Sequence, residues 1–254
     1  MNIIAVENYK ILKDKSFRIF LLISAVFFLI FGISVKADGP FSGITGMTAP
    51  YYMQTFVVFI LMLCGAMASI IVVNDFDKGT IRNVLSTGTS RVAYYLSKLY
   101  TMFLSCTILT LVSSIIFTIT ITILAGWNGT ISGHYILNLL VFYVVLLIQM
   151  FSYCSLFVMI AFLIRNVAGA IGITYVYVAF LEGLIITMLT MPGIAFLDTI
   201  AEFMPSIVIG NLMQFVEADT IMTLNFAITA IPALIIVAIT ILVGIMSFKK
   251  RDIK

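Results

Sequence analysis

Six long apolar runs, separated by short polar stretches, organise the chain at about residues 17–35, 51–73, 99–125, 135–164, 167–191 and 223–248. Each is close to or above the ~20 residues that carry a helix across a ~30 Å hydrocarbon core. They are too long for strands and lack the in-out alternation of a membrane barrel. The pattern predicts an all-α polytopic membrane protein, one transmembrane domain over residues 1–254. Composition agrees, with 62% hydrophobic and 10% charged residues and a mean hydropathy of +1.19, where a soluble domain carries about 25% charge.

The few charges then set the orientation. Lys10, Lys13, Lys15 and Arg18 precede the first span, and Lys78, Arg82, Arg91 and Lys98 lie between the second and third. Arg165 separates the fourth and fifth, and Lys249, Lys250, Arg251 and Lys254 follow the sixth. With six spans, thirteen basic residues fall on one side and Lys36 alone on the other, beside Asp38, Asp198, Glu202, Glu217 and Asp219. By the positive-inside rule both termini are expected in the cytoplasm. The basic start, the first apolar run and "SVKAD" also fit a signal peptide cut after Ala37. That run exceeds a usual signal core, so the first span is expected to be retained.

Little in the chain suggests catalysis. Cys64, Cys106 and Cys154 fall in three different spans without metal-ligand spacing, which fits small apolar side chains rather than a metal site. His134, the single histidine, sits at an outer span edge beside Gly133, with no second histidine to share a metal. Trp127 fits a headgroup anchor, and Asn128-Gly129-Thr130 is a sequon that matters only in a glycosylating compartment. There is no H-E-x-x-H and no G-x-x-x-x-G-K-[ST], so no catalytic residue, metal ligand or ATP site of its own is assigned. Work, if done, draws on energy from another chain.

The most informative polar stretch is residues 74–98, "NDFDKGTIRNVLSTGTSRVAYYLSK". Ile81, Val84 and Leu85 follow i, i+3, i+4 spacing with Arg82 and Asn83 facing away, which predicts a short amphipathic helix. Gly79-Thr80 marks its start, with Thr80 a candidate cap, and Gly88 its end. Thr89 or Ser90 can cap a second helix that begins at Arg91 and runs into the third span. Such a loop also satisfies the positive-inside rule without further purpose.

The order of an acidic residue (Asp77), Gly79-Thr80, Arg82, Leu85, Ser90-Arg91 and a lysine-bearing entry to the third span resembles the cytoplasmic loop of ABC-2-type transporter permeases. These are the membrane subunits of type-2 ABC exporters. The resemblance implies that residues 79–85, flanked by Asp77, Arg82 and Arg91, form a coupling helix docking in a groove of a separate ATPase subunit. In this expectation Ile81, Val84 and Leu85 receive the push, and ATP and Mg belong to that partner. The resemblance also implies an interfacial elbow helix over residues 1–16 and re-entrant outer helices within 192–222, where Pro205 divides two apolar segments. A second copy or a sister permease, and the lipid bilayer, are the other expected partners; nucleic acid is not.

Glu182 is the one carboxylate inside an expected span, about 22 Å along the fifth. A buried charge at that depth is costly, so a place on the exit path, a pair with Lys36, or contact with headgroups are all open. Methionine and aromatic residues in the spans suit an amphipathic cargo better than ions or sugars. The expected activity is export of amphipathic, antimicrobial or cytolytic peptides, or immunity to them, from a bacterial cytoplasmic membrane. The alternatives are export of drugs or lipids, or a membrane receptor or immunity protein for a peptide toxin that does no pumping.

Overall fold

The computed structural model describes residues 7, 9–11, 13–35, 43–191, 193–212 and 226–250, with side chains from residue 230 in the last segment. Among the described residues six helices are long and apolar enough to cross a membrane: Lys15–Val35, Ala49–Asp77, Arg91–Ala125, Gly133–Ile164, Val167–Thr190 and Ala230–Lys250. No strand occurs among the described residues. The chain is an all-α, multi-pass membrane protein.

The second and fourth spans form the centre, with 67% of each apolar window buried in the chain. The fifth, first and sixth are peripheral, at 17%, 22% and 28%. The fourth packs most extensively on the sixth, and the first on the third. Small and polar side chains make this closeness possible. A Cβ at Gly65 would stand 2.8 Å from the Thr174 hydroxyl, so the second and fifth spans approach there as only glycine allows. Buried serines and threonines return their hydroxyls to their own helices, as Ser69 does to the Gly65 carbonyl at 2.8 Å and Thr110 to Cys106 at 2.9 Å. Thr240 crosses between helices to Ser155 at 2.8 Å.

Aromatic rings fill both halves of the bundle. In one half Phe27, Phe28, Phe56, Phe59 and Phe117 join the first three spans, the closest pair being Phe27 and Phe59 at 4.0 Å. In the other, Phe76, Tyr95, Phe162 and Phe248 tie spans two, three, four and six, with centroids 4.8–6.2 Å apart.

Contacts show that the four basic segments share one end. Lys98 pairs with Glu7, Arg91 donates to the Lys249 carbonyl, and the Arg165 guanidinium lies 4.7 Å from the Phe76 ring centre. At that end Glu7, Tyr9, Lys10, Ile11 and Lys13 are helical, and the helix is interrupted at Asp14. The Asp14 carboxylate accepts from the Ser16 amide at 2.9 Å and so caps the first span. Residues 1–6, 8 and 12 of the expected elbow lie outside the described residues.

Beyond the fifth span two short helices follow, Ala195–Glu202 and Pro205–Asn211, with Pro205 opening the second. The expected segment 192–222 is described only at 193–212, and residues 223–225 of the expected sixth span lie outside the described residues.

Candidate functional site

The second span runs on to Asp77, past its apolar core. Lys78 then ends it, and Gly79 takes φ +64°, a left-handed turn with open space where a Cβ would stand. The strain any other residue would meet there comes from backbone sterics alone. A helix follows at Thr80–Ser86, closed by Gly88 at φ +88°. Thr80 is its first helical residue, and no side chain caps it, so the expected Thr80 cap is replaced by the Gly79 turn. Ser90 is the cap of the next helix, accepting from the Ala93 amide at 3.1 Å, and Arg91 starts that helix as expected.

The short helix is amphipathic, but its apolar face points home. Ile81 is 1% exposed within the chain's own core, and Val84 and Leu85 pack partly buried against the same core. The exposed ridge is polar: Asp77, Lys78, Gly79, Arg82, Asn83 and Ser86. Within the chain, Ile81 is thus spent on the core, while Val84 and Leu85 stay half-buried at its edge. A helix of seven residues has too few internal hydrogen bonds to stand alone. Its apolar side is spent on being held.

Near the end of the second span sits a buried ionic cluster that connects three segments. Lys98, 1% exposed, lies 3.0 Å from Glu7 of the N-terminal helix and 2.6 Å from Asp75 of the second span. The Tyr94 hydroxyl donates to Asp75 at 2.7 Å, the Thr101 hydroxyl to Glu7 at 3.4 Å, and Lys10 approaches Glu7 at 3.4 Å. Two carboxylates hold one buried ammonium, the arrangement that makes such a charge tolerable in a dry interior. One signal for it is present in the sequence. Lys98 lies seven residues past Arg91, about 10 Å into a helix that enters the membrane, and a cation at that depth needs carboxylates.

Arg91 also joins two spans. It donates to the Phe248 carbonyl at 3.1 Å and the Lys249 carbonyl at 2.8 Å, which ties the third span to the end of the sixth. A cation at the carbonyl end of a helix is favoured by the helix dipole.

Glu182 lies inside the fifth span, away from the basic cluster, just after a π-helical turn at Tyr177–Leu181. It is 4% exposed, so it does not extend to headgroups. Its carboxylate accepts from the Tyr153 hydroxyl at 2.7 Å and from the Ser206 amide at 3.2 Å. It thereby binds the fourth and fifth spans to the first turn of the helix at Pro205–Asn211. Its possible pair with Lys36 lies outside the described residues.

Sequence reasoning also missed a convergence. The thiols of Cys64, Cys106 and Cys154, from three different spans, are mutual neighbours in the core, all free and buried.

Residues 3–182 match the model of the ABC-2 family transporter protein. The chain belongs to the ABC-2 transporter family. The matched region holds the N-terminal helix, the loop helix, the Glu7–Lys98–Asp75 cluster and the spans up to Glu182. No curated protein matches the chain significantly. An ABC-2 permease is the membrane component of an ABC transporter, a component that normally lacks an ATPase site and associates with an ABC ATPase subunit.

Proposed function

We propose that this ABC-2 permease is the export subunit of an ATP-driven pump. The helix Thr80–Ser86 is its coupling element, and amphipathic peptides, antimicrobial or cytolytic, are its cargo. One observation carries the coupling role: the helix shows a polar ridge outward while Ile81 roots it in the core, and it continues directly from the second span, whose Asp75 shares Lys98 with Glu7. A push on Asp77, Lys78, Arg82 or Asn83 is then passed to the second span, the third span and the N-terminal helix together. Rigid movement of packed helices, rather than bending of a loose loop, follows from such a linkage.

The shared end of the basic segments supports a cytoplasmic location for that ridge and for both termini. Two permeases, copies or sisters, would face each other and two ATPase subunits, which bind ATP and Mg. Exposed Phe180 and Met188 on the fifth span, and Met191 just past it, supply adaptable apolar surface of the kind amphipathic cargo uses.

The test is co-purification with the ATPase subunit. Arg82 is exposed, so Arg82→Glu leaves the fold intact and lowers captured ATPase to about a tenth, as loss of an interfacial charge pair does. Undiminished capture would remove the coupling role from this ridge. Stimulation of the complex's ATPase by cationic amphipathic peptides, beyond that by drugs or lipids, tests the cargo.

A further inference from the structure

Between the N-terminal helix and the second and third spans lies a cavity of about 620 Å³, within the ~300–1,000 Å³ range of ligand sites. We propose that it holds the headgroup and glycerol of one anionic phospholipid. This rests on the chain's place in a membrane and is independent of cargo.

Charge and depth make the case. Five lysines and three carboxylates line the cavity. The carboxylates are already engaged: Glu7 and Asp75 hold Lys98, Lys10 leans on Glu7, and Asp14 caps the first span. Lys13, Lys15 and Lys78 remain, and no carboxylate among the described residues lies within ion-pair distance of them. Lys13 and Lys15 are exposed beside the start of the first span, and Lys78 is exposed at the end of the second. That is headgroup level, where a phosphate would sit.

The inner end has a different character. Ile70 and Ile71 give it apolar walls. Ser105 also lines it, 0% exposed, with a hydroxyl that has no hydrogen-bond partner among the described residues. Ser105 is seven residues beyond Lys98 on the same helix, about 10 Å deeper. An orphaned buried hydroxyl at that depth calls for an acceptor, which a glycerol ester oxygen supplies. A cavity basic at its mouth and apolar with one donor within fits a phospholipid entering from the bilayer better than a wholly soluble anion.

The experiment is native mass spectrometry of the full-length chain, released from detergent after exposure to equal amounts of phosphatidylglycerol and phosphatidylcholine. One phosphatidylglycerol per chain is expected to survive in preference. Replacing Lys13, Lys15 and Lys78 together by Gln should lower its retention at least about tenfold, whereas Lys249→Gln with Lys250→Gln should not. Ser105→Leu, which fills the inner end, should lower retention as well. Equal retention of the two lipids, an unaffected triple variant, or an equal loss on changing Lys249 and Lys250 would overturn the site. Displacement of the lipid by millimolar glycerol phosphate would assign the cavity to a soluble phosphate and overturn the lipid assignment.

Discussion

Two buried carboxylate sites stand at different depths of the same bundle and are satisfied in opposite ways. At the basic end Glu7 and Asp75 share the Lys98 ammonium. Deeper in the bundle Glu182 has hydrogen-bond donors, the Tyr153 hydroxyl and the Ser206 amide. The first site joins segments by charge, and its Asp75 stands two residues before Asp77, where the ridge proposed to meet an ATPase begins. The second fastens a short helix to two spans by neutral donors. Removing one partner from the first leaves uncompensated charge, while removing the carboxylate from the second leaves two unmet donors. The two are therefore expected to fail by different amounts and to different rescues.

The largest effect is expected from Lys98→Met, which strands Glu7 and Asp75 and should cost about 3–5 kcal/mol. Thermal unfolding in detergent measures it. Adding Glu7→Gln and Asp75→Asn should recover much of the loss, because the stranded charges are then gone; no recovery would mean that Lys98 acts by packing. Ile81→Glu is expected to be similarly damaging, since it buries an unpaired carboxylate at a cost of several kcal/mol. The neighbouring Arg82→Glu should stay within about 0.5 kcal/mol of wild type. Similar melting of these two variants would contradict the inward-facing helix.

Glu182→Leu should cost about 1–3 kcal/mol by leaving Tyr153 and Ser206 without an acceptor. Glu182→Gln keeps an acceptor and should melt close to wild type. Transport by the Gln variant then sharpens the contrast: impaired export with a normal fold would show that the charge itself serves cargo passage, and wild-type export would leave Glu182 as a fastener. The smallest effect belongs to Arg91→Ala, at about 0.5–1 kcal/mol for the lost helix-end interaction, read from the same melts.

Apolar run length made the six spans legible, but it misplaced some ends. The third helix starts at Arg91 rather than 99 because Ser90 caps it and the chain stays helical through polar residues that hydropathy discounts. The Ser90 cap already placed Lys98 two turns inside that helix; what stayed unseen was its burial, because its carboxylate partners come from two other segments. Spacing likewise exposed the apolar face of residues 80–86 without saying what it faces; i, i+3, i+4 periodicity is the same for a face turned to a partner and one turned to the chain's own core. The link from Glu7 to Lys98 spans ninety-one residues, and no local pattern announces it. For Glu182 burial cost pointed to the residue, but its donors come from Tyr153 and Ser206, each more than twenty residues away.

The most direct test is site-specific photo-crosslinking in cells that also express the ATPase subunit. A photoreactive side chain placed at Arg82 or Asn83, both on the exposed ridge, should trap the ATPase in a covalent adduct of the summed mass. If ATPase co-purifies with the permease while neither position yields an adduct, the ridge of Thr80–Ser86 is not the coupling surface.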